Sequence, residues 1–258
     1  MMYPEKYSKE QYIAWHENNF VDDSNLVKKI DDLRVKFKTE LKEDLEFIAE
    51  LLYYLIPSSQ KEYKIHYETE FEYNIPLRNS LSDKAGKKYD LIFKSTDSII
   101  NKLWRKNKDE PSINLTNLKS ELTDLVRTEI TCTTLAACRF VSKRLELKNI
   151  NLPDDYHLKE KLDAKIIAIE FEPEMKMASG YFAYHGLIKM KNGITIEVQV
   201  YSSLMANWRK LSHKLYEKIR LSPIEKHDYG TSESRLVSLG HLLHLAECEV
   251  ERLESEIK

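Results

Sequence analysis

Glu197 and Gln199 are the residues around which chemistry can be built, because they stand two apart in a segment that alternates strictly between polar and apolar side chains. Ile194, Ile196, Val198 and Val200 fall on one face of the strand that this alternation predicts, and Thr195, Glu197, Gln199 and Tyr201 fall on the other. A carboxylate on such a strand is held rigidly, since the apolar face anchors it in a core. The same alternation also fits an edge strand showing a solvated polar face. Its flanks favour chemistry: Gly180, Tyr181 and His185 precede the strand, and Arg209 and His213 follow it four residues apart, on one stripe of a helix. A glycine-tyrosine loop, an acid and cationic side chains in one short unit read as half of a nucleotide-transfer site.

The elements that must position these residues are legible nearby. Asn192-Gly193 is a hairpin signal leading into the strand. After it, Leu204, Trp208, Leu211 and Leu215 recur at helical spacing, so a helix is expected to pack back on the sheet through those four residues.

The order G-Y-x-x-Y-H, then E-V-Q-V, then M-x-x-W-x-x-x-x-H-x-x-Y-x-K resembles the synthetase domain of RelA/SpoT proteins, which transfer pyrophosphate from ATP to a 3'-hydroxyl. Two upstream stretches extend the resemblance. Lys94 to Lys102 is similar to the family's K-x-x-x-S-I-x-x-K element, at the junction of an apolar strand (91–93) and a helix. Ser98 and Lys102 lie one turn apart there, so a hydroxyl and an ammonium share a face, as a polyphosphate requires. Taken without the family, that stretch is a basic surface helix. Thr123 to Ile130 resembles the strand that carries a metal-binding aspartate, here Asp124, although an aspartate at a strand start also serves as a turn or capping residue.

The resemblance implies roles, position by position. Glu197 would orient or deprotonate the attacking hydroxyl, and Asp124 with Glu197 would hold Mg²⁺ through oxygen ligands, leaving much of the shell to water and substrate. Lys94, Ser98 and Lys102 would contact the ATP phosphates. Tyr181 would stack on the acceptor base, and His185, Gln199 and His213 would line the acceptor side. A core role for Tyr181 and a hydrogen-bonded structural role for either histidine remain open alternatives. Phosphoryl-type transfer asks for positioning and charge stabilisation, so no protein nucleophile is needed.

The chain also departs from the pattern. Ile92 stands where many members have an arginine, Tyr201-Ser202 where the strand usually ends in arginine and threonine, and Arg127 and Glu129 where glycine and arginine are common. Lys87, Lys88 or Arg127 would then replace the missing charge, with Lys88 and Arg127 assigned to the ATP side.

The implied fold is α/β (α+β): a mixed sheet of about five strands flanked by helices. A helical extension over 1–80, a synthetase-like core over 81–222 and a C-terminal helix over 223–258 would form one elaborated domain. At 258 residues and 42% hydrophobic content the chain can bury a substantial core. From Leu26 apolar residues recur in three- and four-residue steps, predicting one long helix stopped near Pro57. Tyr63 to Tyr73 alternates as a strand would, Thr133 to Leu147 reads as a helix, Asn149 to Asp155 as a loop, Lys165 to Phe171 as a strand and Ser232 to Ile257 as a helix. His227-Asp228 has no preceding histidine to complete a metal-hydrolase signature, so synthesis without a hydrolase domain is expected. No apolar run approaches a membrane span and the first residues lack a signal core, pointing to the cytoplasm. Cys132, Cys138 and Cys248 have neither metal-site spacing nor an even number for a disulfide framework, which suits reduced thiols.

In the resembled family the acceptor is GDP or GTP for some members, and adenosine nucleotides or the 3'-terminal adenosine of tRNA for a compact toxic group. A short hydrolase-free chain with long flanking helices resembles the toxic group, implying tRNA as acceptor and a neutralising antitoxin as partner. A net charge of −2 excludes a uniformly basic nucleic-acid surface but leaves room for a local patch, for which Lys28 and Lys29 are the candidates. Two other classes stay in view: an inactive nucleotide- or RNA-binding module, and a helical partner-binding protein.

Overall fold

The structure, a computed structural model, describes residues 2–109, 112–154, 156–221 and 230–257. His227-Asp228 and the expected boundary at 222/223 lie outside the described residues. The order is α1 (Lys9–Asn19), α2 (Leu26–Glu40), α3 (Lys42–Tyr67), β1 (Tyr73–Asn74), α4 (Leu77–Leu81), α5 (Lys87–Asp90), α6 (Thr96–Lys106), α7 (Leu118–Glu121), β2 (Val126–Cys132), α8 (Leu135–Leu145), α9 (His157–Lys165), β3 (Ile166–Lys176), β4 (Tyr181–Met190), β5 (Thr195–Ser202), α10 (Ser203–Leu221) and α11 (Ser232–Ile257). The strands form one mixed sheet in the order β1-β2-β5-β4-β3. Among the described residues only β2 and β5 run parallel.

The hairpin at Asn192-Gly193 forms as the sequence predicts. Gly193 has φ 83°, a left-handed value that glycine adopts without a Cβ penalty. The Asn192 side chain caps the turn by accepting from the Ile194 amide at 3.0 Å, and it donates to Asp44 Oδ2 at 2.8 Å, tying the turn to α3. In β5, Ile196, Val198 and Val200 enter the main core with Val126 and Ile130 of β2. On that side α8 buries Leu135, Cys138, Val141 and Leu145, each large aliphatic side chain contributing about 1.5–3 kcal/mol. The opposite face is polar and is covered at one end by α10 and α11.

The N-terminal half differs from its expected outline in two ways. The single long helix is two, separated at Leu41, whose φ −94° and ψ 2° leave the helical range. The second continues through Pro57 to Tyr67. An interior proline costs a helix about 3 kcal/mol. Here Leu51, Leu52, Leu55, Ile56, Ser59 and Tyr63 keep their apolar spacing across the proline and are all buried, so packing outweighs that cost. Tyr63, Ile65 and Tyr67 therefore lie on a helix, and the strand expected over Tyr63 to Tyr73 is reduced to Tyr73–Asn74. Residues 91–93 give a single bridge, Phe93 to Val126.

The stripe expected on α10 is also shifted. Met205 and Trp208 are buried, whereas Leu204 and Leu211 are 45% and 53% exposed. The reason is α11, which takes the Trp208 indole N–H on its Leu236 carbonyl at 2.8 Å and so sets the rotation of α10. A second contact joins α11 to the loop before β4. A Cβ on Gly180 would lie 2.4 Å from the Val237 carbonyl oxygen, and one on Gly240 would lie 2.4 Å from the Gly180 carbonyl oxygen. The backbones touch there because neither residue carries a side chain. The three cysteines are free thiols, and among the described residues no helix is long and apolar enough to cross a membrane.

Candidate functional site

Two clusters meet on the polar face. The first is built where the chain turns from the Phe93 bridge into α6. Ser95 caps that helix, accepting from the Ser98 amide at 3.3 Å, and its hydroxyl donates to Ser98 Oγ at 2.8 Å. Lys94 is held just before the cap by its amide bond to the Leu125 carbonyl, which places it beside the turn bearing Asp124. Its ammonium lies 2.7 Å from Asp124 Oδ2, and that of Lys102, two turns along α6, lies 2.7 Å from Oδ1. Each carboxylate oxygen of Asp124 thus faces one ammonium group.

Burial alone would raise the Asp124 carboxyl, but the Lys94 charge and the two ammonium groups together draw it down to about 2. Burial pushes the Lys94 ammonium below its ordinary value; Asp124 opposes that shift, while Lys102 and Arg127 add to it. A further cation closes the cluster from α2: Arg34 donates from Nε to the Lys94 carbonyl at 2.8 Å and from Nη1 to Thr96 Oγ1 at 3.4 Å.

The second cluster centres on Glu197. Arg127 and Glu129 of β2 are in register with Glu197 and Gln199, and His185 of β4 faces Gln199 from the other side. Gln199 Nε2 donates to Glu197 Oε1 at 3.1 Å, and His185 Nδ1 lies 2.8 Å from the same oxygen. The other ring nitrogen of His185 is 2.7 Å from Glu174 Oε2 and 3.0 Å from the Tyr181 hydroxyl. Burial favours the neutral Glu197 carboxyl, but the His185 and Gln199 hydrogen bonds outweigh it, leaving the pKa below its ordinary value. The Asp124 charge also bears on Glu197, so the two acids share one field.

Tyr181 is 8% exposed, packed with Ala183, Tyr201, Met205 and Trp208, and Lys176 Nζ stands 5.4 Å over its ring. Its ring is thus part of a small core while its hydroxyl belongs to the Glu197 cluster. Lys88 is exposed on α5, its amide held by Asp83 at 2.7 Å, apart from the contacts that join Lys94, Asp124 and Lys102. Lys28 is exposed on α2, and Lys29 donates to the Asp22 carbonyl. His213 lines a cleft of about 470 Å³ with Asn74, Glu129, Thr131, Tyr201, Arg209 and Lys210. A hollow of similar size lies near the N-terminus, where Glu10 is the one charged residue among Met2, Pro4, Gln11 and Ala14, and it carries none of the residues above.

Arg34 and Glu174 reach the clusters without a signal of their own. Arg34 sits among lysines on a charged helix, and Glu174, opposite Ala183 in the β3–β4 pairing, reaches His185 diagonally. Alternation in β3 would have shown the face of Glu174 but not its partner.

The donor set suits a hard divalent cation: Asp124 is strongly ionised between two ammonium groups, and Glu197 is ionised in the same field. Among the described residues there is no group of three or more histidine, cysteine or acidic side chains fit to hold a metal alone. Magnesium, which accepts one or two carboxylates and completes its shell with water and phosphate, fits such a pair. The arrangement as a whole sets an ammonium pair for anionic groups beside a buried, ionised carboxylate able to accept a proton.

Residues 93–220 match the model of a region found in RelA / SpoT proteins. No curated protein matches the chain. Among solved structures it is similar to the small alarmone synthetase 1 from Bacillus subtilis, at 17% identity over 86% of this chain and 97% of that one, with a TM-score of 0.49. The small alarmone synthetase 2 from Bacillus subtilis gives 17% identity over 85% and 99%, with a TM-score of 0.49. A GTP pyrophosphokinase family protein from Streptococcus pneumoniae gives 17% over 89% and 93%, with a TM-score of 0.45. At these identities and TM-scores no residue role passes from those proteins to this one.

Proposed function

We propose, from the match of residues 93–220 to a region found in RelA/SpoT proteins, that the chain is an ATP-dependent pyrophosphokinase, moving the β,γ-pyrophosphate of ATP to a ribose 3'-hydroxyl. The observation that carries the reading is Glu197: buried, ionised, and aimed by His185 at 2.8 Å and Gln199 at 3.1 Å, next to the Lys94–Asp124–Lys102 cluster.

Lys94, Ser98 and Lys102 receive the phosphates, with Arg127 near enough to add its charge to the Lys94 site. On binding, the ammonium groups exchange Asp124 for phosphate oxygens, which frees the Asp124 carboxylate. Asp124 and Glu197 are the residues that would hold Mg²⁺, which supplies neutralisation of phosphate charge. Glu197 takes the proton of the acceptor hydroxyl as the oxygen attacks the β-phosphorus in line, and AMP leaves with the bonding pair. His185 and Gln199 keep the carboxylate oriented through the exchange. Tyr181 and His213 complete the acceptor side, Tyr181 presenting its ring once Lys176 moves aside.

The acceptor we assign is the 3'-terminal adenosine of tRNA, which makes the protein a translation-blocking toxin with a neutralising antitoxin as its partner. Support for this half comes from the resemblance to the toxic group and from α2, which carries Lys28 and Lys29 and is fastened to the phosphate cluster through Arg34. The test is incubation with γ-labelled ATP and, separately, deacylated tRNA, GDP, GTP and no acceptor. Label on tRNA is expected. Label on GDP or GTP alone overturns the acceptor and keeps the transfer, and label on nothing overturns both. Charge reversal at Lys28 and Lys29 is expected to weaken tRNA labelling and spare ATP binding; unchanged labelling removes that docking face.

A further inference from the structure

A charged cluster beside Glu197 has no part in the transfer described above. Arg209 on α10 reaches back over β5, with Nη1 2.6 Å from Glu129 Oε2 and 2.7 Å from the Tyr201 hydroxyl. Its guanidinium carbon stands 5.2 Å over the Tyr201 ring, and the Tyr201 hydroxyl donates to Glu129. Glu129 and Gln199 are paired across β2 and β5, so the cluster begins one residue pair beyond Glu197, about 7 Å along the strands. It forms one wall of the cleft of about 470 Å³ that Asn74, Thr131, Asn207, Lys210 and His213 complete.

Tyr201 stands where an arginine was expected, and Arg209 arrives from the neighbouring helix at the same place. The charge is restored in position but not in effect, because Glu129 already matches it. A phosphate that takes the Nη1 donor displaces Glu129, and one that approaches the rest of the guanidinium meets Glu129 as a like charge beside it. A neutral group entering the cleft disturbs nothing.

We propose that the Glu129–Arg209–Tyr201 clasp is a specificity device. It makes the cleft next to Glu197 accept the uncharged base and ribose of the nucleotide that precedes a polynucleotide's 3' end, and reject the polyphosphate tail of a free nucleotide. Glu129 is the repulsive element that such discrimination needs. The proposal rests on the pyrophosphate-transfer reading and specifies its acceptor class.

The experiment compares acceptors that differ in the group carried on the 5' side of the reacting nucleoside: the dinucleotides CpA and CpG against ADP and GDP. Binding is measured by isothermal titration calorimetry with the phosphate cluster saturated by a non-hydrolysable ATP analogue, and transfer is measured with labelled ATP. The wild-type chain is expected to prefer the dinucleotides in both measurements. Glu129→Gln is expected to tighten the diphosphates by about tenfold, the size of one decade in affinity at 1.4 kcal/mol, with dinucleotide binding little changed. Adding Arg209→Met should erase the gain. A binding ratio unchanged by Glu129→Gln, or a wild-type preference for diphosphates, overturns the clasp. A shifted binding ratio with no label moved on any acceptor sustains the clasp and sinks the transfer reading instead.

Discussion

Replacing Asp124 by asparagine removes one charge from between two ammonium groups and keeps the side chain's shape. Asp124 is 18% exposed, and its partners Lys94 and Lys102 are 9% and 19% exposed, so solvent screens these contacts only in part. The fall of its carboxyl from 3.8 to about 2 corresponds to about 2 kcal/mol of native-state stabilisation near neutral pH. For a chain of this size that is a melting point lowered by about 4–8 °C. The sign with pH is set by the depressed value. The contribution is complete above 3.8, the unfolded pKa, and is lost as pH falls through about 2. Differential scanning calorimetry of both proteins across that range should therefore show two melting points far apart near neutrality and converging in acid. Adding Lys94→Met to Asp124→Asn should recover part of the loss, since the buried ammonium then no longer lacks its partner. An asparagine variant that melts with the wild type near neutral pH would refute the ion-pair account of this cluster.

Glu197→Gln keeps the hydrogen-bonding shape and removes the base, so label transfer should fall by about 10²–10⁴-fold with the circular dichroism spectrum unchanged. Because the Glu197 pKa is depressed below 4.5, wild-type transfer should hold its rate down to that pH and fall only below it, as read from a pH profile of single-turnover rates. Gly240→Val forces a branched side chain into a space where a Cβ already lies 2.4 Å from the Gly180 carbonyl oxygen and 2.9 Å from Trp208 Nε1. It should cost about 1–3 kcal/mol in urea unfolding and shift Trp208 emission as α11 is pushed off; identical emission would mean that the contact is not held in solution.

The sequence was most informative where local rules act alone. Asn192-Gly193 needs a positive φ, and the alternation from Ile194 to Tyr201 needs a strand with one buried face, so β4–β5 and the placement of Glu197 beside Gln199 came directly from the residues. It misled where two periods fit the same residues. Tyr63 and Tyr67 lie four apart as well as on an alternating register, and a core already built through Leu55, Ile56 and Ser59 chose the helix. Proline is a strong breaker only when nothing packs across it, which no local pattern around Pro57 reveals. On α10 the spacing of Leu204, Trp208, Leu211 and Leu215 was helical, but the rotation was decided by the carbonyl of Leu236. In the site, Lys94, Lys102 and Asp124 could be named from motifs. That the two lysines close on the aspartate, that Arg34 braces the Lys94 carbonyl, and that Arg209 settles on Glu129 are contacts between distant segments with no local signature.

Asp124 lies in the turn that leads into β2 and Glu197 in β5, its parallel neighbour, separated by α8, α9 and a hairpin. A parallel pairing of such segments closes a long loop before any contact rewards it, which makes it a late event in folding. During synthesis Lys94, Lys102 and Asp124 leave the ribosome well before Glu197 does. A nascent chain can thus order its lysine-aspartate cluster first, and Glu197 joins it in one step when the final strand slots between its neighbours.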